Sequence, residues 1–245
     1  MLSKSQINLI TSLDKKKYRS KYQLFVVEGI KYIQEFLKSD FKLNHLFSVE
    51  DIFQENEVKT NLISETELKK ISFLSTPNCA LAIFKIPEVK AIDDNSLVVA
   101  LDNISDTGNL GTIIRLCDWF GIKDLICSSN TVDCFNPKVV QASMGSLTRV
   151  NITYLDLENY LKDQQIRPIY GTFMDGKSIY SSTVENKGIL VFGNEANGIS
   201  EEIEKIVTDW IAIPQFGHKK ETESLNVATA TAIMLSEFKR RTIEK

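Results

Sequence analysis

Leu97-Val-Val-Ala-Leu-Asp-Asn-Ile-Ser-Asp-Thr-Gly-Asn-Leu-Gly-Thr-Ile-Ile-Arg-Leu-Cys-Asp-Trp-Phe-Gly121 opens on five consecutive apolar residues, turns polar, and then resumes apolar residues at helical spacing. A short continuous apolar run ended by a turn reads as a strand buried on both faces, and the segment after it as a helix lying on the sheet. The pattern recurs downstream. Apolar runs at 97–101, 123–127, 149–155, 167–173, 188–192 and 209–213 are interspersed with helical patterns near 109–120, 137–146, 156–164, 200–207 and 224–241. This alternation predicts an α/β domain over 91–245: a mostly parallel sheet with helices on both faces. Ligands in such sheets sit beyond the carboxyl ends of strands, so polar, glycine-containing segments that follow strands are where a site is expected.

Upstream, Lys85 to Ser96 carries Pro87, several charges and Asp93-Asp94-Asn95 with few large apolar residues, which marks a linker. Residues 1–90 form a second, smaller α/β unit. A helix over Ile7, Ile10 and Leu13 leads through a basic turn, Lys15, Lys16, Lys17, Arg19 and Lys21, into a strand at Gln23–Val27. Further elements follow: a helix at 31–37, a strand at 43–49, a helical turn at 65–70 and a strand at 79–86. The whole chain has 245 residues and a net charge of −3, but residues 1–90 carry +3 and residues 91–245 carry −6. That asymmetry supports two units and leaves the basic run open to two readings, a solvated helix end or a phosphate contact.

Three segments qualify as site candidates. The first is the stretch quoted above, where Asn109 is placed at a helix start as a cap and Arg115 lies nearly two turns along. In the second, Ile189-Leu-Val-Phe-Gly-Asn-Glu-Ala-Asn-Gly-Ile-Ser200, Gly193 would admit a ligand to the backbone, and Glu195 could orient a cationic group or meet a helix amino terminus. The third runs from Ile211 past Pro214 to Ser224-Leu-Asn-Val227, with Ser224 as cap of a long helix whose Ala228, Ala230 and Ala232 permit close packing.

Several chemistries are disfavoured. Cys79, Cys117, Cys127 and Cys134 show no C-x-x-C spacing, and only His45 and His218 could join them, so neither a zinc cage nor a histidine-based hydrolase triad is expected. No stretch of eighteen uncharged apolar residues exists, and the amino terminus turns polar at Asp14, which points to a cytoplasmic protein. Gly171-Thr-Phe-Met-Asp-Gly-Lys-Ser178 satisfies the P-loop pattern, yet the residues after it make a poor helix and Asp175 would set a carboxylate against the phosphates.

In this order, the three segments resemble the signature motifs of the SpoU/TrmH family of RNA ribose 2′-O-methyltransferases, in the SPOUT superfamily. Asn109-Leu-Gly111 with Arg115 and Phe120-Gly121 looks like the first motif, Phe192 to Ser200 like the second, and Ile213-Pro214 with Ser224-Leu-Asn-Val227 like the third. Tyr18-Arg19 and Phe25-Val-Val-Glu-Gly29 are similar to the substrate-binding domain, L30e-like in fold, of many ribosomal-RNA members. Thr107, Asn194, Ala196 and Ala228 depart from the usual residues at their positions.

The resemblance implies a deep trefoil knot and S-adenosylmethionine held against backbone around Gly193, Ile213 and Leu225, with Thr172 contributing from a strand-end loop at 171–178. It implies methyl transfer to a ribose 2′-hydroxyl without a metal, with Arg115 at the hydroxyl or adjacent phosphate and Asn109, Glu195, Ser224 and Asn226 positioning it. It further implies a homodimer built on the helix at 224–241, and RNA, ribosomal in preference to transfer RNA, engaged through Lys16, Arg19 and Lys21. The competing expectations are an RNA-binding or ribosome-assembly protein of the same fold that lost transfer, and an NTPase using Lys177.

Overall fold

A computed structural model describes residues 1–53, 58–164, 167–216 and 224–243. In chain order the elements are α1 (Lys4–Ser12), α2 (Lys16–Tyr22), β1 (Leu24–Glu28), α3 (Ile30–Leu37), β2 (Leu43–Ser48), β3 (Thr60–Leu62), α4 (Glu65–Ile71), β4 (Ala80–Lys85), β5 (Leu97–Leu101) and α5 (Thr107–Trp119). They continue with β6 (Asp124–Ser128), α6 (Pro137–Ser143), β7 (Asn151–Leu155), α7 (Leu157–Lys162), β8 (Ile169–Ser178), β9 (Gly188–Phe192), α8 (Glu201–Glu204), β10 (Asp209–Ala212) and α9 (Val227–Ile243). The chain divides into two compact units, Met1–Glu88 with Asp133–Thr148, and Val89–Val132 with Arg149–Lys245.

The first unit is a four-stranded sheet in the order β1-β4-β2-β3, antiparallel except for the β2-β3 edge. Strand β1 is buried throughout because its alternating side chains serve two cores. Leu24 and Val26 join Ile10, Leu13, Leu81 and Ile83. Phe25 packs against Phe36, Phe41, Phe84 and Phe135, the last with ring centroids 4.8 Å apart.

Residues 133–148, expected in the second domain, therefore pack with the first. Phe135 completes the aromatic cluster, and Asp133 accepts from the Arg19 guanidinium at 2.6 and 2.8 Å. Two more guanidinium bonds, to the carbonyls of Leu13 and Asp14 at 2.7 Å, leave Arg19 2% exposed. Arg19 is thus a strut inside this unit, with four N–H···O contacts already made, and not an RNA contact. The basic run is also a helix of its own, α2, where the sequence suggested a turn; it lacks an apolar period and is anchored instead by this inward arginine.

The second unit holds a six-stranded sheet in the order β10-β8-β9-β5-β6-β7, every neighbouring pair parallel. All residues of β5, β6 and β9 are buried. Val98, Ala100, Ile126, Ile189 and Val191 face Leu157 and Leu161 of α7 and Ile203 of α8. On the other face α5 packs on β6 and against α9, and Phe238 of α9 meets Tyr170 of β8 edge-on at 5.2 Å. Burial raises the thiol pKa values of Cys117 and Cys127 far above the ordinary range, so both are inert side chains of this core.

Candidate active site

The site is assembled where three chain segments leave the sheet. At the end of β5, buried Asp102 accepts from the Ser200 amide at 2.8 Å and from Asn103 Nδ2 at 2.8 Å, tying the first segment to the start of α8. Asn103 has a φ of +59°, a left-handed conformation that asparagine tolerates, and turns the chain toward α5. The cap of α5 is Asp106, whose Oδ1 accepts from the Asn109 amide at 2.7 Å. Asn109, expected as the cap, stands in the first helical turn instead, and its side chain is released for other partners. Its Nδ2 donates to Glu195 Oε1, and its Oδ1 accepts from Asn226 Nδ2 at 2.8 Å.

Asn226 is itself the cap of α9, its Oδ1 accepting from the amides of Ala228 at 3.0 Å and Thr229 at 3.2 Å. Ser224, expected in that role, lies two residues upstream and exposed. The capping bonds fix which way the Asn226 amide points, and that orientation passes to Asn109 and on to the Glu195 carboxylate. Residues 109, 195 and 226, far apart in sequence, are joined by side-chain bonds.

Gly193 begins the turn after β9. A Cβ there would stand 2.1 Å from the carbonyl carbon of Gly198 and 2.2 Å from the amide nitrogen of Ile199. The return of its own chain therefore already requires a glycine at this position. The turn is closed by reciprocal bonds between Asn194 and Gly198, at 2.9 and 2.8 Å, and Asn194 Oδ1 accepts from the amides of Ala196 and Asn197. Asn194 Nδ2 reaches the Asn103 carbonyl at 2.8 Å. The sequence signal for Asn194 is an asparagine opening a polar turn, whose side chain bonds its own backbone two residues on.

Between β8, the turn after β9, and the segments at 213–215 and 224–234 lies a cavity of about 550 Å³. Thr172, Gly193, Ile213 and Leu225, the four residues expected at a cofactor, all line it, as do Glu195 and Ser224. Phe173, Phe192, Val227, Ala230 and Met234 add apolar wall, the last three spaced along one face of α9, and were not singled out from sequence. Thr172 donates to the Val191 carbonyl at 3.0 Å. Asn109 and Asn226 brace the rim through Glu195. Arg115 does not line the cavity: it is exposed on α5 and makes no hydrogen bond or ion pair among the described residues. His218 lies outside the described residues.

The P-loop reading is excluded. Residues 171–178 belong to the long strand β8, not to a loop entering a helix, and Lys177 is in register with Ile211 of β10. Gly176 is there because a Cβ would meet the Ile211 backbone at 2.7 Å, so no phosphate cradle exists. The loop expected at the end of this strand is likewise part of the strand.

Residues 96–236 match the SpoU rRNA Methylase family. The chain belongs to that family. Residues 4–82 match the MRM3-like substrate binding domain. Among relatives of the SpoU chain, a 23S rRNA (guanosine(2553)-2′-O)-methyltransferase of Bacillus subtilis, RlmP, is 28% identical over 231 residues, covering 91% of each protein. A TrmH-family structure from Porphyromonas gingivalis is 38% identical, with a TM-score of 0.91 over 98% of this chain and 99% of that one. An S-adenosylmethionine-bound rRNA methyltransferase structure from Sinorhizobium meliloti is 28% identical, with a TM-score of 0.86 over 98% and 96%.

Proposed function

We propose that this protein transfers a methyl group from S-adenosylmethionine to a ribose 2′-hydroxyl of RNA, with ribosomal RNA favoured over transfer RNA. The observation that carries this is that, in a SpoU-family chain, the second and third motif segments line one cavity and Asn109 of the first is hydrogen-bonded to both, through Glu195 and Asn226. The cavity suits the cofactor: its volume is that of a small-molecule site, its walls are largely apolar, and a carboxylate, Glu195, stands at its edge to face a cation. Thr172, Gly193, Ile213 and Leu225 would hold it. S-adenosylmethionine supplies a methyl carbon made electrophilic by its sulfonium.

The protein's part is to bring the ribose oxygen near 3 Å from that carbon and to manage its proton. Arg115, exposed and without a competing bond among the described residues, can reach an incoming ribose or phosphate. Its guanidinium offers N–H donors and no acceptor, so it does not act as the base. It stabilises the developing alkoxide while water or a phosphate oxygen takes the proton. Asn109, Glu195, Ser224 and Asn226 orient the RNA and one another, and Lys16 and Lys21 contribute phosphate contacts. The same proposal includes the trefoil knot and a homodimer through α9, supported by family membership and the partly exposed flank of that helix.

The test incubates the pure protein with methyl-labelled S-adenosylmethionine and RNA or ribosomal particles from cells lacking the gene, then digests to nucleosides. Label in a 2′-O-methylated nucleoside is expected. Label on a base, or no transfer to either substrate, would remove the proposal.

A further inference from the structure

Helix α2 presents a surface that fold stability does not account for. From Lys15 to Gln23 the sequence holds five cations and no acid. Arg19 is turned inward, leaving lysines exposed at 15, 16, 17 and 21. Lys17 stands in the first turn, where the helix dipole is positive and disfavours it, and that turn holds no acidic residue. Between the lysines, Tyr18 and Tyr22 stack with centroids 6.2 Å apart and planes at 13°, and Tyr22 is 40% exposed. Lys21 Nζ rests 5.3 Å from the Tyr22 centroid, so that ring already engages a cation.

Lysines alone would bind any polyanion. Parallel aromatic rings among them select one with planar groups free to stack. A base inside an A-form duplex is unavailable for this, whereas an unpaired base stacks readily on an aromatic side chain. We propose that the α2 face binds an unpaired nucleotide of the RNA, with Tyr22 and Tyr18 as the stacking ledge and Lys15, Lys17 and Lys21 on the flanking phosphates. The substrate then offers this unit a loop, bulge or single strand. The inference rests on the proposal that the chain acts on RNA.

Fluorescence anisotropy on the full chain compares three labelled probes of equal length: an unstructured RNA, an abasic sugar-phosphate strand and a blunt RNA duplex. The unstructured RNA should bind about tenfold more tightly than either of the others. Tyr22→Ala should remove that advantage without changing the salt slope, Tyr22→Phe should retain it, and Lys17→Ala should weaken all three probes and flatten the slope. Equal affinity for the abasic strand, or wild-type affinity in Tyr22→Ala, would overturn the proposal. Methyl transfer is scored separately. A chain that shows the stacking pattern but transfers no methyl keeps the ledge and loses the enzymatic assignment; transfer by Tyr22→Ala at the wild-type KM does the reverse.

Discussion

Replacing Gly193 by alanine tests the construction of the cavity. The new Cβ would lie 2.1 Å from the Gly198 carbonyl carbon, 2.2 Å from the Ile199 nitrogen and 2.4 Å from the Gly198 oxygen. All three are backbone atoms, so no side chain can swing aside. Ordinary contact begins at 3.4 Å, and the returning strand of the turn must retreat by about 1.3 Å. Glu195 lies inside that turn and is bonded to Asn109, so the retreat pulls the carboxylate from its partner and opens the cavity wall. A displacement of about 1 Å in a site that positions reactants costs roughly 100-fold in rate. Overpacking of this kind lowers stability by about 1–3 kcal/mol. Gly193→Ala should therefore show methyl transfer down about 100-fold, weaker S-adenosylmethionine binding by calorimetry and a lower urea midpoint. Transfer and cofactor affinity both within about threefold of wild type would refute the reasoning.

Two further outcomes follow from the first unit. Arg19→Ala leaves Asp133, 13% exposed, without its guanidinium and should cost about 3 kcal/mol in a urea titration; unchanged stability with lost RNA affinity would return Arg19 to the RNA surface. Burial raises the pKa of Glu28 despite its bonds from Ser72 Oγ and the Phe73 amide. Between the unfolded value near 4.5 and this raised value the folded protein holds the proton more tightly, so this group's contribution to stability falls as pH rises through that window. Glu28→Gln should gain on wild type in urea midpoint from pH 4.5 upward, and parallel curves would contradict the assignment.

What was legible in the sequence had a local cause. Strands β5 and β9 are buried on both faces, so their apolar runs are continuous and their ends clear. The convergence of Asn109, Glu195 and Asn226 was visible only through the family resemblance, because nothing in periodicity joins residues 86 and 117 positions apart. The two cap assignments slipped by two or three residues where several polar side chains compete, Asp106 against Asn109 and Asn226 against Ser224. Helix α2 was missed because its only fully buried side chain is an arginine. The placement of residues 133–148 depends on Arg19 and Asp133 meeting across 114 positions, which no window of sequence reports. Gly171 and Gly176 matched a phosphate motif for an unrelated reason: both sit where neighbouring atoms in the sheet region leave no room for a Cβ.

Arg115 is proposed to act on the ribose and not on the fold or the cofactor. Single-turnover methyl transfer, measured for wild type and Arg115→Ala alongside calorimetric S-adenosylmethionine binding and a urea titration, tests it directly. Transfer should be lost by at least about 100-fold while cofactor affinity and stability stay at wild-type values, since the side chain is exposed and bears no bond among the described residues. Transfer at the wild-type rate by Arg115→Ala, or its loss only together with folding, would contradict it.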